Sequence, residues 1–219
     1  MQIWPDTAPI NHCGHAILLH GAGAPVDTPW MNSAAAALNA ARWWVWRAEF
    51  DYMSQRRNGL PKRPPPKVTH LVNELHTGLE QHSAQYEQTV LLVGKSMGGR
   101  VATLWLAEVA PDANVYRKVM GALVLGYPFH PIGQPHKPRL NHLMHLQKPV
   151  EIIQGTRDAM GSKDWLATQT LPSLVTMYWR DGANHDLHIP QRLQTPDTLT
   201  LDEIIEGRAT AWRQRLNCL

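Results

Sequence analysis

The fold of this chain is decided by residues 89–99, whose sequence is TVLLVGKSMGG. The first five residues form a β-branched, apolar run that is typical of a buried strand. The pattern Gly-x-Ser-x-Gly follows directly at 94–98, and the segment 97–109 is predicted to be helical. A strand, a tight turn and a helix in this order predict that Ser96 lies on a strained, exposed elbow as a nucleophile.

Two glycines and one backbone amide complete the prediction at this turn. The turn brings Gly94 and Gly98 against each other, so side chains at these positions would clash. The NH of Met97, at the start of the helix, would face a developing oxyanion with help from the helix dipole. The alternative is an ordinary serine in a glycine turn.

Two nucleotide-binding motifs share some of these letters and are rejected. A Walker loop needs a glycine at position 89, which holds a threonine, and the residues that follow are a hydrophobic strand. Residues 21–23 (GAG) begin like a dinucleotide fingerprint, but Val26 occupies the third glycine position and Pro25 blocks the helix start. We therefore expect no nucleotide cofactor, and no other cofactor is predicted.

Strand and helix patterns alternate on both sides of the elbow. Extended segments are predicted at 16–20, 45–52, 122–127, 150–154 and 174–179, and helices at 34–42, 70–82 and 199–216, the first of them capped by Asn32 or Ser33. This alternation predicts an α/β fold with a mostly parallel central sheet and helices on both faces. The length of 219 residues fits a single domain, 1–219.

A serine nucleophile needs a base and an orienting carboxylate, which follow such an elbow in the chain order Asp, then His. Asp158 comes after the predicted strand 150–154, and His185 lies in the loop after the strand 174–179. The carboxyl ends of parallel strands share one sheet edge, so both side chains should meet Ser96. Asp158 in a surface turn or paired with its neighbour Arg157 is the alternative, and the nearest substitutes are Asp186 and His188.

A second oxyanion donor is expected in the loop that follows the first predicted strand, 16–20. Its sequence is HGAG at 20–23, and we assign the donor to the NH of Ala22. The flanking glycines would let the backbone approach the substrate, although a plain tight turn is the equal alternative.

The positive charge of the chain is concentrated in one segment. The net charge is only +3, so nucleic-acid binding is not expected, but positions 55–68 hold five basic residues and no acidic one. This proline-rich loop, 54–67, is predicted to be a solvated connector, with a stiff basic arm for a protein partner as the alternative. A small insertion at 128–147 is expected over an edge of the sheet.

The cysteines and histidines were considered for disulfides and for metal binding. Cys13 and Cys218 are expected to be reduced thiols in a cytoplasmic protein, and neither an export signal nor a membrane span is visible. No metal site is predicted, because His12, Cys13 and His15, or His142 and His145, do not offer a closed four-ligand spacing.

These residues resemble the α/β-hydrolase superfamily and, more narrowly, its small KANL3/Tex30-like group. The resemblance covers most of the chain and rests on HGAG at 20–23, GKSMGGR at 94–100, GYPFHP at 126–131, QGTRD at 154–158 and DGANHD at 181–186. It implies a serine hydrolase core related to dienelactone-hydrolase-like enzymes, with Ser96, Asp158 and His185 at the triad positions and no large lid.

The function predicted from these residues is hydrolysis of a small-molecule ester, thioester or lactone through an acyl-enzyme. A peptidase would use the same groups. The competing prediction is a scaffold or interaction protein that keeps the fold without the chemistry, since the resembled group includes a complex-forming relative and the basic loop could meet a partner.

Overall fold

Seven strands form one sheet in the computed structural model, which describes residues 1–216. The strands are β1 (Gln2–Pro5), β2 (Gly14–Leu19), β3 (Trp43–Glu49), β4 (Val90–Lys95), β5 (Val119–Leu125), β6 (Val150–Gly155) and β7 (Val175–Arg180). Their order is β1-β3-β2-β4-β5-β6-β7, with β1 antiparallel to β3 and all other neighbours parallel. The α/β fold class predicted from the sequence is confirmed.

Strand β4 lies at the centre of this sheet and ends at the elbow. It pairs with β2 on one side and with β5 on the other, and Gly94 stands opposite both Leu19 and Val124. The carboxyl ends of β2, β4 and β5 therefore converge beside Ser96. Strands β2 and β6 are buried along their whole length, including the polar side chains of His15, Glu151 and Gln154.

Helices cover both faces of the sheet. They are α1 (Pro29–Ala40), α2 (Asp51–Arg57), α3 (Val68–His82), α4 (Met97–Glu108), α5 (Asn114–Lys118), α6 (Lys163–Leu166) and α7 (Leu201–Gln214). Helices α1 and α7 pack together on one face, and α3 and α4 on the other. The two faces bury separate apolar clusters, one around Leu75 and Trp105 and one around Leu38 and Trp212.

The start of α1 differs from the prediction. Thr28, rather than Asn32 or Ser33, is the N-cap, and its side chain accepts a hydrogen bond from the Met31 NH. Pro29 follows at the first helical position, where its missing NH costs nothing, so the helix begins before the alanine-rich stretch.

Strand β1 and helices α2, α5 and α6 were missed in the sequence analysis. Strand β1 is short and half-exposed and adds to the edge of the sheet beside β3. The predicted strand 45–52 ends at Glu49, and α2 begins at Asp51, so residues 54–57 of the predicted loop are helical. Asp51 in the first turn and Arg56 and Arg57 in the last turn favour this helix through its dipole, and Arg57 also pairs with the buried Glu49.

The insertion at 128–147 contacts the rest of the domain at two places. Its one short 3₁₀ turn, Asn141–His145, packs on α4, which lies over β4 and β5 in the middle of the sheet. Leu143 is fully buried there, and the His142 ring lies 3.0 Å from Thr103 Oγ1 on α4. Burial of this leucine holds the 3₁₀ turn on the helix, whereas Pro128 and Arg139 of the insertion lie near Ser96 at the carboxyl end of β4.

No helix among residues 1–216 combines the length and the apolar character needed to span a membrane. The Cys13 thiol lies 3.8 Å from the Asn11 carbonyl oxygen, and Cys218 lies outside the described residues.

Candidate active site

Ser96 occupies the turn between β4 and α4 in a strained backbone conformation. Its φ of 51° and ψ of −112° lie in a region that non-glycine residues rarely adopt. Two backbone hydrogen bonds of 3.0 Å hold it: its NH donates to Leu125 O on β5, and its carbonyl accepts from Arg100 NH in the first turn of α4. Strand and helix together thus impose the strain and turn the side chain outward.

Glycine is required at positions 94 and 98 for two different steric reasons. A Cβ on Gly94 would lie 2.3 Å from Gly99 N and 2.5 Å from Gly98 C, which is the close approach predicted across the turn. A Cβ on Gly98 would lie 2.7 Å from the carbonyl oxygens of Leu19 and His20. Gly98 therefore also lets the start of α4 pack against β2, a contact that the motif alone does not reveal.

The loops after β6 and β7 bring a carboxylate and an imidazole to Ser96. Ser96 Oγ lies 2.8 Å from His185 Nε2, and His185 Nδ1 lies 2.7 Å from Asp158 Oδ2. A carboxylate only accepts hydrogen bonds, so Nδ1 carries the proton and Nε2 is left to accept from the serine hydroxyl. Three residues distant along the chain thus form one continuous relay.

Asp158 is almost completely buried, at 1% exposure, and does not lie in a surface turn. Its Oδ1 accepts from the Met160 NH at 2.7 Å, and its Oδ2 accepts from Gln154 Nε2 at 2.8 Å as well as from the imidazole. These bonds fix the carboxylate and compensate its burial.

Gln154 is the residue of this site that the sequence analysis missed. Its amide is fully buried, and its nitrogen, which lies 2.8 Å from Asp158 Oδ2, also lies 3.1 Å from the carbonyl oxygens of Tyr127 and Gly161. The two amide hydrogens are shared among these three acceptors, and the amide oxygen accepts from Tyr127 NH at 2.7 Å. The signal was a polar amide at the end of the apolar strand β6, since a buried amide needs partners.

The loop that carries His185 is tied to the loop that carries Asp158. Arg157 NH donates to Ala183 O at 3.0 Å, and Gly182 NH donates to Thr156 Oγ1 at 2.9 Å. The distance between imidazole and carboxylate is therefore set by backbone contacts as well as by the relay itself.

The two expected substitutes lie elsewhere. Asp186 Oδ1 accepts from Lys95 Nζ at 2.6 Å, and this contact lowers the pKa of the Asp186 carboxyl. His188 is exposed and lines a different cavity, together with Trp30 and Arg180.

The side chain of His20 fixes the backbone of the expected oxyanion loop, residues 20–23. The pKa of this fully buried imidazole is lowered by desolvation, so it is neutral at pH 7. Its Nε2 accepts from Phe50 NH at 3.2 Å, and its Nδ1 therefore donates to Gly21 O at 2.6 Å. The Ala22 carbonyl accepts from Tyr52 OH at 3.0 Å.

A cavity of about 340 Å³ opens beside Ser96. Ala22 and Met97, the two expected oxyanion donors, both line it. As the first residue of α4, Met97 has no partner for its NH within the helix. Pro65 and Pro66 are half-buried and form part of the wall, so the end of the proline-rich loop lies against the site rather than in solvent.

The histidines weighed as metal ligands have other contacts. His15 Nδ1 accepts from Trp46 Nε1 at 3.0 Å, and His142 Nε2 lies 3.2 Å from Tyr127 OH. Within residues 1–216, no group of three or more potential ligands is arranged to hold a metal ion.

A family model described as an alpha/beta hydrolase domain matches residues 13–213. The chain belongs to the alpha/beta hydrolase family. This membership confirms the predicted superfamily and identifies the chain as a hydrolase. All three residues of the relay lie within the matched part of this alpha/beta hydrolase.

Solved structures resemble the whole alpha/beta hydrolase. A dienelactone hydrolase from Anabaena variabilis is 18% identical with a TM-score of 0.65, over 98% of this chain and 97% of that one. Est1E from Butyrivibrio proteoclasticus, solved with bound ferulic acid, is 12% identical with a TM-score of 0.66, over 100% and 96%. A monoacylglycerol lipase from Paleococcus ferrophilus is 15% identical with a TM-score of 0.62, over 100% of both chains. At such identities the likeness establishes the fold.

Proposed function

We propose that this alpha/beta hydrolase is a serine hydrolase that transfers an acyl group from an ester, thioester or lactone to water. The observation that supports this most is the hydrogen-bonded relay from Ser96 Oγ through His185 to Asp158, with distances of 2.8 and 2.7 Å. A strained serine whose hydroxyl faces the free nitrogen of an oriented imidazole is arranged for nucleophilic catalysis.

The first half-reaction forms the acyl-enzyme. Ser96 Oγ attacks the substrate carbonyl while His185 Nε2 takes its proton, and Asp158 stabilises the imidazolium. The NH groups of Met97 and Ala22 hold the negative oxygen of the tetrahedral intermediate. When the intermediate collapses, the bond to the leaving group breaks, and the leaving group receives the proton from His185.

The second half-reaction releases the acid. His185 takes a proton from a water molecule, whose oxygen attacks the acyl-enzyme carbonyl. A second tetrahedral intermediate forms, its bond to Ser96 Oγ breaks, and the proton returns from His185 to the serine oxygen. The enzyme ends in its starting state, and one water has been consumed.

The test is covalent labelling combined with turnover. A fluorophosphonate probe should label Ser96 stoichiometrically, and Ser96→Ala should lower p-nitrophenyl acetate turnover by at least about 10³-fold. Ser173→Ala, at an exposed serine, is the matched control and should leave both readouts unchanged. Unchanged turnover in Ser96→Ala would overturn the assignment.

The competing prediction of a scaffold rests on the exposed part of the proline-rich loop. Leu60 is 53% exposed, and Lys62 and Arg63 are also exposed, so this segment is the proposed contact for a protein partner. A folded sample that the fluorophosphonate does not label would favour the scaffold. Membership in the KANL3/Tex30-like group and a cytoplasmic location stay predictions from the sequence.

A further inference from the structure

The cavity beside Ser96 is lined by two arginines and by no acidic residue. Arg100 and Arg139 both line it, together with the half-buried prolines of the loop and with Met160. Among residues 1–216, no ion pair includes either arginine, although other arginines such as Arg57 and Arg208 pair with buried carboxylates. The cavity therefore carries a local positive charge that the described chain does not neutralise.

Arg100 lies one helical turn beyond the elbow, and its backbone NH donates to Ser96 O at 3.0 Å. Its Nε is buried and has no hydrogen-bond partner within the described part of the chain. The charge also acts on nearby groups: the pKa of His142 is lowered to about 4, first by burial and then by Arg100. A buried guanidinium nitrogen without an acceptor is costly, and an anion bound by the guanidinium group of Arg100 would offset part of that cost by charge.

Arg139 comes from the insertion and is held by its own backbone. Its NH donates to Phe129 O at 2.7 Å, and its carbonyl accepts from Tyr127 OH at 3.1 Å. Desolvation lowers the pKa of Arg139, and the charge of Arg100 lowers it further. The Arg139 guanidinium has a long contact of 3.4 Å from Nη1 to the Pro128 carbonyl. Since both arginines line one cavity, an anion bound between them would offset the repulsion of two like charges.

We propose that the acyl substrate of Ser96 carries a carboxylate or a phosphate that binds between Arg100 and Arg139. The inference deepens the proposed function and rests on it, because it takes Ser96 as the nucleophile. Guanidinium groups recognise both anions through paired, charge-assisted N–H donors. The volume of about 340 Å³ fits a small acyl chain, which Pro65 and Pro66 would contact while the anion fixes its far end.

Two matched esters test the preference. The p-nitrophenyl ester of glutaric acid has a free carboxylate, and its methyl ester is the neutral counterpart of the same length. After subtraction of spontaneous hydrolysis, wild type should favour the anionic ester by at least about tenfold in kcat/KM. Arg100→Gln and Arg139→Gln should each lower this ratio by about tenfold or more, because each removes charge-assisted hydrogen bonds to the anion.

Matched variants separate local contacts from bulk charge. Arg63→Gln removes the same charge from an exposed position outside the cavity and should leave the ratio unchanged. Arg139→Lys should retain part of the preference, because the charge stays while the paired donors are lost. An equal loss in Arg63→Gln and Arg139→Gln, or a wild-type ratio near one, would overturn the inference.

A binding measurement keeps the two proposals distinguishable. Calorimetric titration of Ser96→Ala protein with methyl hydrogen glutarate, inorganic phosphate and dimethyl glutarate should give binding of at least one anion and none of the neutral diester. Comparison of the two anions identifies which one the cavity prefers, and Arg139→Gln should abolish that binding. Ser96-dependent turnover of neutral esters without anion binding would overturn this inference alone. Arginine-dependent binding without turnover would support the anion site and overturn the proposed function.

Discussion

Lys95 Nζ lies 2.6 Å from Asp186 Oδ1, although Asp186 is the direct neighbour of His185 in the chain. The lysine also lies 4.6 Å from the centroid of the Trp30 ring, whose Nε1 donates to Asp186 O at 3.1 Å. These contacts hold the Asp186 side chain at the lysine that precedes Ser96. Asp158, in the loop after β6, is therefore the carboxylate that faces the His185 imidazole.

The first prediction compares the two carboxylates. Asp158→Asn should lower kcat/KM for p-nitrophenyl acetate by about 10⁴-fold, because an amide facing Nδ1 favours the wrong imidazole tautomer. Asp186→Asn should lower it by less than about threefold, since its partner is a lysine in an exposed pair. Losses of equal size in the two variants would show that Asp186 takes part in the relay.

The second prediction concerns the amide that positions Asp158. Gln154→Leu removes the donor to Asp158 Oδ2 and leaves the Tyr127 NH and carbonyl without that partner. We expect a loss of about 1–3 kcal/mol in the free energy of unfolding. We also expect kcat to fall by about tenfold or more while KM changes little.

The control for this variant is Gln214→Leu, at an exposed glutamine near the end of α7. It should affect neither urea unfolding nor kcat. If Gln154→Leu lowered stability but left kcat and the rate of fluorophosphonate labelling unchanged, its role would be purely structural.

The third prediction concerns the elbow. Gly94→Ala would place its Cβ 2.3 Å from the backbone nitrogen of Gly99 and should cost at least about 2 kcal/mol in urea unfolding. Gly207→Ala, in α7 with no atom within 4 Å of the added carbon, should instead stabilise by about 0.5–1 kcal/mol. A Gly94→Ala protein that unfolds at the wild-type urea concentration would contradict the geometry of the turn.

The fourth prediction is a loss of stability in mild acid. The pKa of His15 is lowered from 6.5 to about 4, mainly because the ring is buried. As the pH falls through this window, the unfolded chain takes up a proton that the folded chain refuses, so the free energy of unfolding decreases. The contribution of His15 is present above about pH 6.5 and should be lost towards about pH 4.

The variant His15→Gln isolates this contribution. Its amide oxygen can still accept from Trp46 Nε1, which now donates to the imidazole, but it does not titrate. The decrease in stability between neutral pH and about pH 4 should be smaller than in wild type by about 3 kcal/mol, since each pKa unit corresponds to about 1.4 kcal/mol. His136→Gln, at an exposed histidine, should retain the full decrease. Identical pH profiles for His15→Gln and wild type would refute the assignment.

The order of strands and helices was predictable because each signal is local. The run 89–93 followed by Gly-x-Ser-x-Gly predicts a strand and an elbow within ten residues, and the two later loops follow from parallel-strand geometry. Strand β1 was not predictable, since its four half-exposed residues carry no clear alternation and are stabilised by pairing with β3. Helix α2 was not predicted because part of what stabilises it is the ion pair between Arg57 and Glu49, which the sequence pattern does not show.

The sequence by itself determined the α/β class, the position of the elbow at Ser96, and Asp158 and His185 as candidates to meet it, because strand patterns and chain order fix which loops reach one sheet edge. Only the tertiary structure decided which carboxylate faces the imidazole, that Gln154 braces it, and that Arg139 of the insertion joins Arg100 in one cavity. The reason is physical: hydrogen bonds and charges act over a few ångströms, and the packing of distant segments alone sets such distances.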